Sequence, residues 1–141
     1  MVHALESLYA ALRPRGVLLD VRPASTRPVV EVVHSGETAA ARWVQPLGRI
    51  DDSYRLETLA AADAALDTLI ADGRLTRERV ETFPIYYYAP SVDSLLAYAA
   101  ERWRNAHISA ALVARVQKAA STASGEFRIK RYLHAARYRR R

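Results

Sequence analysis

Apolar and polar positions alternate with two different periods in the first third of the chain. Residues 4–12 place apolar side chains at i, i+3, i+4 and i+7, which predicts an amphipathic helix. The near-continuous apolar run at 17–21 follows Gly16 and predicts a strand that is covered on both faces. Residues 29–33 and 41–44 predict the two strands of a hairpin.

The remainder of the chain is predicted from the same two periods. Residues 53–72 keep a helical period in an alanine-rich context, with Asp52 or Ser53 as N-cap and Gly73 at the C-terminal stop. Four further elements follow: a strand at 80–89, helices at 92–105 and 109–122, and a strand at 126–138.

Length and composition favour one globular domain covering residues 1–141, since 50% of the residues are hydrophobic. No apolar run approaches the roughly 18 residues that span a bilayer, and the N-terminus lacks the layout of a signal peptide. The absence of cysteine excludes disulfides, thiolate metal sites and a cysteine nucleophile. We therefore expect a cytoplasmic protein without membrane contact.

The net charge of +6 is located at the end of the chain. Residues 126–141 contain seven basic residues and one acidic residue, so 7 − 1 = +6, and residues 1–125 are neutral. A basic segment of this kind is typical either of nucleic-acid contact or of a solvated, partly frayed tail, and we favour the tail. The candidate nucleic-acid contacts are Arg137, Arg139, Arg140 and Arg141.

Two pairs of charged residues are candidates for ligand binding. Asp20 and Arg22 end the strand at 17–21, on the side where open α/β sheets place their ligands, but they could also pair with each other. Asp51 and Asp52 could bind a cation, although their position before a helix favours a capping role.

Histidine and aromatic residues give no specific signal for a site. The histidines fall in four separate elements without metal-ligand spacing, so we predict no metal site. The aromatic side chains could stack on a ligand or a base, but packing within a sheet and helix is the commoner role. This aromatic group consists of Tyr86, Tyr87, Tyr88, Tyr98 and Trp103.

One segment resembles a known family. Residues 5–23 consist of a predicted helix, the sequence Leu12-Arg13-Pro14-Arg15-Gly16 and a predicted strand. This arrangement is similar to the stretch of class I S-adenosylmethionine-dependent methyltransferases in which a helix and the motif L-[RK]-P-G-G precede the fifth strand. Arg15 stands where that family usually has its first glycine.

The resemblance implies that the chain is the C-terminal half of this Rossmann-like fold. Residues 53–72 would be the helix after the fifth strand, and 80–89 and 127–138 would be the sixth and seventh strands, which form an antiparallel pair in the family. The expected fold class is α/β, a partial methyltransferase fold. Its small mixed sheet would combine one buried strand, the antiparallel pair and a short hairpin, flanked by about four helices.

The family's cofactor elements are not found in these residues. The family holds its cofactor with a glycine-rich turn and an acidic residue, both of which we expect upstream of Met1. The five glycines present are isolated, and no Gly-x-Gly occurs. We therefore assign no catalytic or cofactor-binding residue, and we expect S-adenosylmethionine to bind only if a partner completes the site.

Loss of the first four strands would leave the strand at 16–22 with an unpaired edge, which invites pairing. A second copy of the chain, the hairpin at 29–44 or a separate protein could cover this edge. The leading hypothesis is a non-catalytic, methyltransferase-derived accessory or interaction domain that self-associates. The first alternative is a methyltransferase subunit completed by a partner, and the second is a nucleic-acid-binding module that uses the basic C-terminus.

Overall fold

The computed structural model describes residues 2–34, 42–103, 105–122 and 125–141, except for the side chains of residues 2 and 3. The described residues form four α-helices and five β-strands, and none of these helices is long and apolar enough to span a membrane. In chain order the elements are α1 (Val2–Ala11), β1 (Val17–Pro23), β2 (Val29–His34), β3 (Trp43–Arg49), α2 (Leu56–Ala71), β4 (Leu75–Ala89), α3 (Val92–Arg102), α4 (Ala110–Thr122) and β5 (Gly125–Arg140).

The strands form an antiparallel sheet in which β5 is the common partner. β5 pairs with β1 through residues 133–139, with β2 through residues 125–130, and also with β4. β3 pairs antiparallel with β2, so the predicted hairpin pairing is confirmed, but β3 runs from Trp43 to Arg49 and not over 41–44. The predicted turn between the two strands lies outside the described residues. The predicted mixed sheet is wrong, because β5 supplies an antiparallel partner to three of the strands.

The chain divides into two compact units. The first unit consists of residues 1–25, 54–83 and 132–141, and the second unit consists of residues 26–53 and 84–131. β4 and β5 each contribute residues to both units. That the 141 residues form a single folding domain stays a prediction.

The core of the first unit lies between two helices and one face of its strands. Side chains from α1 and α2 pack against residues from β1, β4 and β5. Gly73 ends α2 with a φ of 70°, and its N–H donates to the carbonyl of Ile70, so the predicted helix stop is confirmed. The buried residues of this core are Leu66, Leu69, Leu75, Ala136 and Tyr138.

The core of the second unit lies between α3, α4 and the strands β2, β3 and β5. Leu112 and Val116 of α4 are fully buried, as is Val32 of β2. The side chain of Ser91 accepts a hydrogen bond from the N–H of Ser94 and caps α3, which fits the predicted start of this helix. The other buried residues of this core are Val30, Leu47, Ile50, Val92, Leu95, Ala99, Trp103, Phe127 and Ile129.

Two local predictions are corrected. The predicted N-cap at Asp52 or Ser53 is wrong, because residues Ser53–Arg55 form a short 3-10 turn and α2 begins only at Leu56. The prediction that β1 is buried on both faces is also wrong, since its residues alternate between exposed and half-buried. In the first unit, Leu18 packs against the core that α1 and α2 help to form.

Candidate functional site

The backbone of β1 has one paired edge and one open edge. The N–H of Arg140 donates to the carbonyl of Gly16 at 2.9 Å, and the N–H of Ala24 donates to the carbonyl of Tyr132, also at 2.9 Å. Directly opposed residues of an antiparallel pair alternate between hydrogen-bonded and non-hydrogen-bonded positions. The even-numbered residues of β1 therefore bond to β5, and the odd-numbered residues direct their N–H and C=O groups away from it.

The odd-numbered residues of β1 also carry its exposed apolar side chains. Leu19 is 68% exposed, Val21 is 61% exposed and Val17 is 38% exposed. Pro23 falls in the same outward set, where its missing N–H removes no hydrogen bond to β5. No other strand in the described ranges pairs with this edge, so β2 and β3 do not cover it, which was one of the three alternatives.

Two shallow clefts adjoin this strand, and Leu19 lines both of them. The first, of about 230 Å³, lies between α1, α2 and β1 and is apolar apart from Asp20. The second, of about 220 Å³, includes Val21 and Arg137. The odd-numbered residues 17, 19 and 21 of β1, with their open backbone edge, are called the β1 edge below.

Arg22 pairs with Asp20 and also binds to α2. The Nε atom of Arg22 lies 3.0 Å from Oδ2 of Asp20, and its Nη1 donates to the carbonyl of Leu59 at 3.0 Å. Its Nη2 also pairs with Asp63. The Asp20 contact is short but lacks the angle of a hydrogen bond, so we regard it as ionic. Contact of either residue with a ligand stays a prediction.

The four C-terminal arginines are held within the first unit. Arg137 and Arg139 both pair with Glu78, the former at 2.9 Å, and Arg140 donates to the carbonyls of Tyr9 and Leu12. The Nε of Arg141 donates to Thr76 at 2.6 Å. The interpretation as a frayed tail is therefore wrong, because β5 extends to Arg140. Nucleic-acid contact by these residues stays a prediction.

The pairing with Glu78 predicts a measurable titration shift. The hydrogen bond from Arg139 holds the pKa of Glu78 below its ordinary value of 4.5. The ionised carboxylate therefore stabilises the fold above pH 4.5, and this contribution is lost as the pH falls through the lowered pKa. We expect Arg139→Gln to raise the pKa of Glu78, measured by NMR titration, and Arg13→Gln to leave it unchanged. An equal pKa in the Arg139 variant and the parent protein would contradict this pairing.

The second unit contains a polar cluster that the sequence did not predict. Glu31 is 2% exposed, and its carboxylate pairs with Arg128 at 2.8 Å and with Lys130 at 2.6 Å. The Arg128 guanidinium lies 4.2 Å from the ring centroid of Tyr86, and its Nη1 donates to the hydroxyl of Tyr88 at 3.2 Å. Glu31 lies at the centre of an apolar run in the sequence. The signal for its partners is the pair of basic residues at alternate positions of β5, the strand that pairs with β2.

The predicted aromatic group divides between two environments. Tyr87 contacts Tyr98 at 5.1 Å and Trp103 at 5.9 Å between ring centroids. Trp103 belongs to the core of the second unit, and Tyr87 packs against that core. Burial raises the pKa of Tyr98. Tyr86 and Tyr88 are instead exposed and contact Arg128. The structure therefore does not bring all five rings together as one stacking surface.

Asp51 and Asp52 have separate roles. Asp52 is buried and its Oδ2 lies 3.0 Å from Nη2 of Arg131, whereas Asp51 lies 3.5 Å from Arg27. Hydrogen bonds from Ser53 lower the pKa of Asp51. Among the residues that the structure describes, no group of three or more histidine, aspartate or glutamate side chains has the geometry to hold a metal ion.

Comparison with known proteins gives no relative from which a function could be transferred. No family model matches the chain, and no curated protein or solved structure is significantly similar to it.

Proposed function

We propose that the chain is a non-catalytic, methyltransferase-derived interaction domain of the cytoplasm that binds another protein chain along the β1 edge. One observation carries this proposal: Val17, Leu19 and Val21 combine exposed apolar side chains with backbone groups directed away from β5. An open and apolar strand edge is a template for pairing with another chain, and soluble proteins normally protect such edges.

The local geometry supports the methyltransferase origin. Residues 5–23 form α1, a turn and β1, in the order that the resemblance implies. Arg15 has a φ of 61°, at the position where the family usually has a glycine. Non-glycine residues rarely adopt this conformation, so the turn keeps a glycine-like backbone without the glycine. The antiparallel pairing of β4 with β5 also fits the implied sixth and seventh strands.

The contacts of the candidate ligand residues favour a non-catalytic role. The guanidinium nitrogens of Arg22 contact Asp20, Asp63 and the carbonyl of Leu59. These contacts hold the Arg22 side chain on the α2 side of the strand. The 141 residues contain no Gly-x-Gly that could approach a cofactor pyrophosphate or carboxylate closely. Binding of a second chain needs neither feature.

Calorimetric titration with S-adenosylmethionine tests the proposal. We expect no heat of binding at micromolar or low millimolar cofactor, because the described residues offer no glycine-rich cradle. Micromolar binding by this chain would overturn the non-catalytic assignment.

The alternative function is a methyltransferase subunit completed by a partner. The position of the β1 edge favours this alternative as the second candidate. In the family that the chain resembles, the first four strands of the sheet would adjoin this edge. It predicts that cofactor binding appears only after a partner carrying a glycine-rich turn is added. In the interaction-domain proposal, a bound partner leaves the cofactor titration flat.

A further inference from the structure

We infer that the chain docked on the β1 edge is β1 of a second copy, paired antiparallel with Leu19 on a two-fold axis. This inference rests on the proposed function and names its partner. A two-fold axis requires the same patch to be complementary to itself, so each outward residue must meet a residue of matching hydrogen-bonding type and shape.

The backbone of the β1 edge meets this requirement. With Leu19 opposite Leu19 of the second copy, Val17 lies opposite Val21 and Val21 opposite Val17. All of these are odd-numbered residues, whose N–H and C=O groups point away from β5. Opposed residues in hydrogen-bonded positions exchange two bonds, so the three pairs would form about six hydrogen bonds.

The side chains are also self-complementary. The order valine, leucine, valine at positions 17, 19 and 21 is the same in both directions. The pairing therefore places one valine–valine contact on each side of a leucine–leucine contact, all on one face of the sheet. On the opposite face, Asp20 would lie beside Leu18 of the second copy. The added desolvation cost is small, because the Asp20 carboxylate already pairs with Arg22.

The pairing also has defined ends. Pro23 cannot donate a hydrogen bond beyond Val21, and Arg15, which would lie opposite it, is in the positive-φ turn before β1. The self-complementary segment therefore coincides with the part of the strand that has open backbone groups.

The other edge strands are protected in ways that β1 is not. β3 contains Pro46 and a register shift opposite Val30 and Glu31. β4 contains Pro84 and a run of charged residues, Arg77, Glu78, Arg79 and Glu81. Proline, irregular register and charge are the features by which sheets avoid edge pairing. Among the edge strands in the described residues, β1 is therefore the one suited to bind a copy of itself.

Single-cysteine variants test both the association and its register, because the chain has no cysteine of its own. Opposed Cα atoms in a hydrogen-bonded pair are about 5.5 Å apart, within disulfide range, so oxidised Leu19→Cys should form a covalent dimer. Val17→Cys should not, since the two copies of residue 17 would be offset by about 14 Å along the strands. The double variant Val17→Cys with Val21→Cys should form a covalent dimer again. Val44→Cys, exposed on β3, controls for random collision.

Light scattering provides a second measurement without cysteine. We expect the mass to rise with concentration from 15.8 kDa towards twice that value. Leu19→Lys should keep the chain monomeric, and Val44→Lys should behave as the parent. Circular dichroism verifies that both variants are folded.

Two results would overturn the inference: a monomer at all micromolar concentrations, or crosslinking of Leu19→Cys no faster than that of Val17→Cys and Val44→Cys. The failure of the proposed function looks different. If the chain is monomeric and does not bind S-adenosylmethionine, only the identity of the partner is wrong. If the chain binds S-adenosylmethionine, the proposed function is wrong, whatever the oligomeric state of the chain.

Discussion

Replacing Asp52 with alanine is expected to lower the free energy of unfolding by about 3–5 kcal/mol, because removing one member of a buried ion pair leaves the other charge in a poorly solvated site. The side chains of Asp52 and Arg131 are 3% and 9% exposed, and their Oδ2 and Nη2 atoms are 3.0 Å apart. The Arg131 guanidinium also lies 4.9 Å from the centroid of the Trp103 ring. Urea denaturation followed by tryptophan fluorescence measures the loss.

Asp51→Ala is the matched control for this substitution. Asp51 is the neighbouring residue and carries the same group, but its side chain is 43% exposed and its pair with Arg27 is longer, at 3.5 Å. Exposed pairs of this kind contribute little, so its removal should shift the urea midpoint far less. Equal shifts for Asp51→Ala and Asp52→Ala would show that burial of the Asp52 pair does not govern stability here.

Helices whose boundaries depend on nearby residues were predicted closely. Ser91 caps α3 and Gly73 ends α2 through bonds that span only a few residues, so the local sequence contains all of the required information. The first helix was expected at 4–12 and is observed at Val2–Ala11.

The exposure of β1 could not be predicted from its own residues. A continuous apolar run is typical of a strand covered on two faces, but coverage depends on which helices pack there. Leu18 packs in the first unit's core, while Leu19 is 68% exposed. The sequence therefore located the strand and its candidate residues Asp20 and Arg22, but not the face and edge that remain open.

Long-range ion pairs were missed for a related reason. Asp52 was expected to cap a helix that begins beside it, yet its partner Arg131 is 79 positions away in the chain. Glu31 was assigned only as part of a strand, although Arg128 binds it across 97 positions. Periodicity identifies elements, whereas pairs of this kind depend on strand register, which is set by the whole sheet.

Glu31→Ala is expected to cost about 3–5 kcal/mol of unfolding free energy, because a single buried carboxylate compensates two cations on the same face of β5. Its side chain is 3% exposed and contacts Arg128 Nη2 at 2.8 Å and Lys130 Nζ at 2.6 Å. Without Glu31, these two positive charges would lie two residues apart on one strand without their shared anion. Chemical denaturation of the parent and the variant measures the difference.

The adjacent strand pair offers a matched glutamate. Glu126 lies opposite Val33 in the same pairing of β2 with β5, but its side chain is 61% exposed, and it pairs with the half-exposed Arg42 at 2.8 Å. Glu126→Ala should therefore change the free energy of unfolding by about 0–1 kcal/mol. Adding Arg128→Met to Glu31→Ala should recover part of the loss, since it removes one of the two positive charges that Glu31 paired with. If the double variant is less stable than Glu31→Ala alone, the contacts of Arg128 with Tyr86 and Tyr88, rather than its charge, dominate this cluster.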